Sequence, residues 1–204
     1  MRTKLFPAAV AILTLLGLTE VRAQNDRGDF TIMPKAGLNL ATWAGDPDAK
    51  MMPAYIGGFE LELGLTENVG LVTGVHYSMQ GEKDKEFDLK MKFDYTNVPF
   101  LVLFYPVKGL AVKAGAQLGF LSRKRFEFDG ERYDLDRLES ITGEKSSYRN
   151  FDLAIPMGLS YELYNFVVDV RYNLGLINIV KDFDETYRNS VLQFTLGYKI
   201  PLTD

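Results

Sequence analysis

The sequence predicts an all-β fold: a single closed, antiparallel, up-and-down transmembrane β-barrel of about eight strands, preceded by a cleaved signal peptide. Three observations predict it. An apolar, uncharged run, Leu5 to Leu18, follows Arg2 and Lys4 at the start of the chain. Beyond it, segments of about ten residues alternate between bulky apolar and small or polar side chains. The connections between these segments alternate as well, short and then long.

The leading run is too short for a membrane-spanning helix. Val21-Arg22-Ala23 then sets aliphatic and small residues where a signal peptidase reads. Residues 1–23 are therefore expected to be a signal peptide, with Gln24 as the first mature residue and 24–204 as one barrel domain. No later stretch approaches the roughly 18 uncharged residues of a transmembrane helix. Cys is absent, so an exported domain cannot rely on disulfides, and burial or a membrane must hold it together. The formal charge of −4 falls to −6 once Arg2, Lys4, Glu20 and Arg22 are removed, which argues against nucleic acid as a partner.

The segments follow in order. Phe30, Ile32, Pro34, Ala36, Leu38 and Leu40 alternate with Thr31, Lys35, Gly37 and Asn39. Tyr55, Phe59, Leu61, Leu63 and Leu65 alternate with Gly58, Glu60, Glu62 and Gly64. Val69, Leu71, Val75, Tyr77 and Met79 oppose Gly70, Gly74, His76, Ser78 and Gln80. The fourth segment begins with Phe87, Leu89, Met91, Phe93 and Tyr95 as its apolar set, against Asp88, Lys90, Lys92 and Asp94. Val98, Phe100, Val102 and Phe104 take over after Asn97, which predicts a bulge just before Pro99. Leu110, Val112, Ala114, Leu118 and Phe120 oppose Lys113, Gly115, Gln117 and Gly119. Phe151, Leu153, Ile155, Met157, Leu159 and Tyr161 oppose Asp152, Ala154, Gly158, Ser160 and Glu162. Phe166, Val168, Val170, Tyr172, Leu174 and Leu176 oppose Asp169, Arg171, Asn173 and Gly175. Leu192, Phe194, Leu196, Tyr198 and Ile200 oppose Gln193, Thr195, Gly197 and Lys199. A period of two assigns each set to one face of a sheet.

Thr66-Glu67-Asn68, Pro106 to Gly109 and Leu163 to Asn165 read as short turns. Ala41 to Pro53, Gly81 to Glu86, Ser122 to Arg149 and Asn178 to Arg188 read as long polar loops. Short periplasmic turns and long outer loops are the habit of outer-membrane barrels. Within the longest loop, Asp129-Gly130 between Phe128 and Tyr133 predicts a small hairpin, which either extends two strands or raises the count to ten.

Size decides which face is inside. An eight-stranded barrel has an interior just wide enough to be filled by side chains, too narrow for some forty bulky ones. The other face carries Gly37, Gly58, Gly64, Gly70, Gly74, Gly115, Gly119, Gly158, Gly175 and Gly197, which suit a crowded inner wall. Small and polar residues therefore face the lumen and the apolar face meets lipid, where a closed barrel satisfies its own backbone. Tyr55, Tyr77, Phe104, Phe120, Phe166, Tyr172 and Tyr198 lie near segment ends and are candidates for interfacial girdles.

Four stretches in this order and spacing resemble a known family: Lys35-Ala36-Gly37-Leu38-Asn39-Leu40, Tyr95-Thr96-Asn97-Val98-Pro99-Phe100, Asp169 to Leu176, and Val191 to Ile200. The chain is similar to the outer-membrane β-barrel domain family, the porin-family or PorT-like proteins. The resemblance implies a Gram-negative outer-membrane barrel in contact with lipid and little chemistry.

The inward face predicts a polar lumen network of Lys35, Glu60, Glu62, His76, Lys113, Gln117, Asp152, Glu162, Asp169, Arg171 and Lys199. Buried charge is costly unless paired, and the near balance of sign favours a filled interior over a conducting one. His76 and Ser78 share a face, the pairing used when histidine takes a serine proton, but no spacing marks a catalytic site. Asp46 with Asp48, and Asp182 with Asp184 and Glu185, lack the spacing of a calcium loop. Trp43 is placed in the first loop, as a partner contact or a rim anchor. No cofactor, metal site or enzyme signature is expected. Two function classes follow: a non-enzymatic envelope protein with periplasmic or surface protein partners, or a small-solute porin.

Overall fold

A computed structural model describes residues 27–45, 49–84, 89–128, 131–135, 137, 141, 148–180 and 186–203. The expected signal peptide and the acidic residues Asp46, Asp48, Asp182, Asp184 and Glu185 lie outside the described residues.

Eight long strands follow one another around a closed sheet: β1 (Phe30–Ala44), β3 (Met52–Thr66), β4 (Val69–Asp84), β5 (Leu89–Val107), β6 (Leu110–Phe128), β8 (Phe151–Leu163), β9 (Phe166–Gly175) and β10 (Arg188–Tyr198). Three short strands decorate them. β2 (Ala49–Lys50) pairs with the loop end of β4, β7 (Glu131–Asp134) pairs with β6, and β11 (Ile200–Pro201) carries the β10 pairing onward along β1. Neighbours are antiparallel throughout. β10 closes the ring on β1, with Lys35 opposite Gly197 and Ala44 opposite Arg188. Closure leaves no open edge among the long strands, which is what a sheet needs in hydrocarbon.

The turns at one rim are tight. Thr66 Oγ1 accepts hydrogen bonds from the Asn68 and Val69 amides at 3.3 and 3.1 Å. Gly109 takes a positive φ of 82° to join β5 to β6. The turn after β8 is tied to the closing strand: Asn165 Nδ2 donates to the Lys199 carbonyl at 2.9 Å, and the Lys199 amide donates back to the Asn165 carbonyl at 2.7 Å.

The faces sort as alternation requires. Leu38, Tyr55, Phe100, Val102, Phe104, Leu159, Phe166, Val168 and Leu196 point outward and are exposed, whereas Lys35, Glu60, Asp169 and Arg171 are buried inside. All seven girdle aromatics are exposed on the outer wall. The inward glycines let neighbouring backbones approach. At Gly37 a Cβ would collide with the Phe194 carbonyl of β10, and at Gly115 with the Phe100 carbonyl of β5.

Three expectations are corrected. First, β5 has no phase slip at Asn97, and Lys90, Lys92 and Asp94 face outward instead of into the lumen. Phe93, Tyr95, Asn97, Pro99, Leu101, Leu103 and Tyr105 all face inward and are buried. The register shift lies across the ladder, where Asp94 pairs with Arg123 but Tyr95 pairs with Leu121, so the extra residue is Ser122 on β6. Second, Met79 keeps the outward parity of β4, opposite Asp94, but is covered by its neighbours and not open to lipid. Third, Trp43 belongs to β1 and is only 5 % exposed, so it is neither a loop contact nor a rim anchor. Asp129 and Gly130 lie outside the described residues, but β6 and β7 on either side of them pair, Phe126 opposite Tyr133 with rings stacked at 4.7 Å. This pairing extends β6 beyond the barrel, and the ring stays at eight strands.

Candidate functional site: the barrel lumen

The lumen is layered along its axis. Nearest the short turns, β3 contributes Glu62, β8 Glu162, β5 Tyr105 and the end of the last strand Lys199. Lys199 Nζ lies 2.9 Å from Glu62 and 2.8 Å from Glu162, and the Tyr105 hydroxyl donates to Glu62 at 2.6 Å. The opposite wall of this layer is apolar: Val72, Leu101, Leu103 and Ala111 pack together beside Tyr105.

The middle layer is a six-residue knot drawn from five strands. Glu60 on β3 meets Lys35 of β1 at 3.3 Å, Arg171 of β9 at 2.9 Å and His76 of β4 at 3.3 Å. Asp169 meets Lys113 of β6 at 2.6 Å, Arg171 at 3.1 Å and Lys35 at 3.4 Å. Each carboxylate thus touches at least two cations, the condition under which buried charge is tolerable. Three cations against two anions leave this layer one charge positive, His76 aside. Lys199 against Glu62 and Glu162 leaves the first layer one negative, so the two layers cancel. The cavity bordered by Glu60, Glu62, Lys113, Glu162 and Lys199 holds about 10 Å³, scarcely one water molecule.

Amides dominate the third layer. Asn39 Nδ2 donates to Ser78 Oγ at 2.9 Å and to the Met79 carbonyl at 2.8 Å, and Asn189 Nδ2 donates to Asp152 at 2.8 Å. Gln117 Oε1, Asp152 Oδ1, Asn173 Nδ2 and Gln193 Nε2 are buried with no protein partner. Leaving such groups dry costs about 1–3 kcal/mol each, so this layer has the chemistry of a hydrated zone.

Aromatic residues close the loop end. Trp43 lies 5.4 Å from Phe93, and Phe93 meets Tyr148 edge-on at 4.8 Å. Ile179 and Val180 complete the cluster, with Tyr187 against it. The crossing loops are pinned by backbone bonds: Arg149 donates to the Ile179 carbonyl at 2.9 Å, and Ile179 to the Tyr187 carbonyl at 2.8 Å.

All eleven residues of the expected network face the lumen. Lys35, Glu60, His76, Lys113, Asp169 and Arg171 come together in the middle layer; Glu62, Glu162 and Lys199 form the first; Gln117 and Asp152 stand in the amide layer. Sequence reasoning missed Tyr105, which joins Lys199 to Glu62, and the aromatic cap. A signal for the cap existed: Phe93 and Tyr95 share parity with Asn97 and Pro99.

A closed ring of eight strands, apolar outside and ion-paired inside, is the architecture of a barrel that lives in lipid. Residues 22–181 match the sequence profile of the outer membrane protein beta-barrel domain. The chain belongs to that family. The family places it in the outer membrane of Gram-negative bacteria. Among solved structures it is similar to Neisserial surface protein A, at 15 % identity over 84 % of this chain and 97 % of that one, with a TM-score of 0.51. It is also similar to Ail, the attachment invasion locus protein of Yersinia pestis, at 16 % identity over 85 % and 99 % of the two chains, with a TM-score of 0.49. At these identities the likeness is one of fold. No curated protein matches the chain in sequence.

Proposed function

We propose that this outer-membrane barrel has a non-enzymatic envelope role, acting through its loops and outer wall, and that its lumen is a plug. One observation carries the reading. Lys35, Lys113 and Arg171 against Glu60 and Asp169, together with Lys199 against Glu62 and Glu162, form a neutral ionic core around a cavity of about 10 Å³. A solute would have to break several buried ion pairs and displace an aromatic cap to cross. His76 and Ser78 fit a structural role: His76 faces Glu60, and the Ser78 hydroxyl accepts from Asn39 and Gln80. Residues 1–23 are read as a signal peptide removed on export, on the strength of Arg2, Lys4 and the Leu5 to Leu18 run.

Single-channel recording of the refolded protein in a planar bilayer tests the plug. The expected result is negligible conductance at low voltage. Steady openings of porin size would overturn the reading and favour solute transport. Intact-mass measurement of protein purified from membranes should give a chain starting at Gln24.

A further inference from the structure

The outer wall carries a feature that the lumen does not explain. Along β6, Val112, Ala114, Leu118 and Phe120 face outward with even parity. Ser122, the bulged residue, resets the phase, so Arg123 and Arg125 turn outward and Lys124 turns in. Re-aiming side chains is what a bulge does. On β5 the residues facing the same way beside them are Lys90, Lys92 and Asp94, and Glu127 follows on β6. Four cations and two anions therefore share one patch of wall. Arg125 bridges to Asp94 at 2.5 Å, and Glu127 is held by Lys90 at 2.9 Å and Lys92 at 2.5 Å. Arg123 is exposed, with its ladder partner Asp94 already taken by Arg125.

The patch sits on the loop side of Tyr55 and Tyr77, two exposed aromatics of the kind that mark a bilayer boundary. Between patch and boundary runs a groove of about 250 Å³. Its floor is Pro53, Ala54, Tyr55 and Met79, and its lip is Lys92 and Arg125 with the Glu127 carboxylate beside them. An apolar floor that continues into the lipid-facing wall, under a lip where four cations outnumber Asp94 and Glu127 by two, matches a molecule that is apolar below and anionic above. A soluble anion would use only the lip.

We propose that the bulge at Ser122 builds a binding site on the outer wall for a phosphorylated headgroup of an outer-leaflet lipid, held by Lys92, Arg123 and Arg125 with its acyl chains running down past Tyr55. Arginine favours phosphate through paired N–H donors, and each basic residue at a membrane surface adds about fivefold in affinity for anionic lipid. The site is independent of whether the lumen conducts.

The test uses the full barrel in phosphatidylcholine nanodiscs doped with diphosphorylated lipid A, with bound lipid counted by native mass spectrometry. Wild type should retain the phosphorylated lipid, and retention should fall with added salt. Arg123→Gln with Lys92→Gln should lower the affinity by about twenty-five-fold, whereas Lys108→Gln, at the opposite rim, should leave it unchanged. Equal retention by the double variant, an equal loss in Lys108→Gln, or equal retention of dephosphorylated lipid A would each overturn the site. So would competition by millimolar pyrophosphate as effective as that by the lipid, which would assign the groove to a soluble anion. Salt dependence in wild type keeps the test decisive should the double variant refold poorly.

Discussion

Strands β3 and β5 flank the same strand, β4, and fill the lumen in opposite ways. β3 turns Glu60 and Glu62 inward, and each is neutralised by cations from other strands. β5 turns Phe93, Tyr95, Leu101, Leu103 and Tyr105 inward and carries no charge on that face. Both solutions exclude water, one by mutual pairing and one by packing. The difference teaches what alternation can reveal. From Gly58 to Gly64 of β3 the two faces differ in chemistry, so parity alone separates lipid from lumen there. In β5 the inward face is apolar for most of its length, while the outward face passes from Lys90, Lys92 and Asp94 to Val98, Phe100 and Val102, so a change of the more strongly apolar set looks like a change of phase.

The largest expected effect breaks the β3 solution. Glu60→Ala leaves Arg171 and Lys35 facing each other with one fewer anion, in a space with no room for solvent to replace it. Removing one partner of a buried pair costs about 3–5 kcal/mol. Urea unfolding in lipid vesicles, followed by the fluorescence of Trp43, the sole tryptophan, should show that loss. A change below about 1 kcal/mol would mean the knot is already hydrated.

The second effect sharpens the β5 side. Leu101→Ala should cost about 3 kcal/mol, since Leu101 packs against Val72, Leu103 and Ala111 inside the wall. Val102→Ala, one residue on, should cost a small fraction of that, because acyl chains fill the space as well as a methyl group does. Equal losses at the two positions would contradict the assignment of faces along β5.

The third effect maps the bilayer on that outer face. Phe100 and Phe104 are equally exposed on β5, one near mid-wall and one near the short-turn rim. Phe100→Arg should cost about 2–4 kcal/mol and Phe104→Arg about 0–1, because arginine at the rim reaches the headgroups. The reverse order would place the membrane elsewhere along the strand.

The same contrast explains how much was legible beforehand. The ring of eight, the short turns and the inward charges were readable because Glu60, Glu62, Asp169 and Arg171 alternate with Val, Leu and Phe. The partners were not. Lys35 finds Asp169 across 134 residues, and Arg171 finds Glu60 across 111, so only strand tilt and closure decide which charges meet. Trp43, Phe93 and Tyr148 are invisible as a cap for the same reason: Trp43 comes from β1, Phe93 from β5 and Tyr148 from the segment before β8, and apolar residues near a rim read equally well as girdle. The bulge was placed one strand too early. Its true mark is the run Ser122-Arg123-Lys124-Arg125, where charge appears on both parities at once.

The smallest effect concerns charge outside the wall, where water competes. Glu127, on the extension of β6, is held down to about 2, against an ordinary 4.5, by hydrogen bonds from Lys92 and then Lys90. A carboxyl lowered on folding contributes fully above its unfolded value and loses that contribution as pH falls through its folded value. The strand extension should therefore be unchanged from pH 7 to about 4.5, weaken below that, and lose the pairing near pH 2. The carboxyl-carbon shift of Glu127, followed by NMR in micelles, should titrate near 2. A midpoint at 4.5 would show that Lys90 and Lys92 do not hold it.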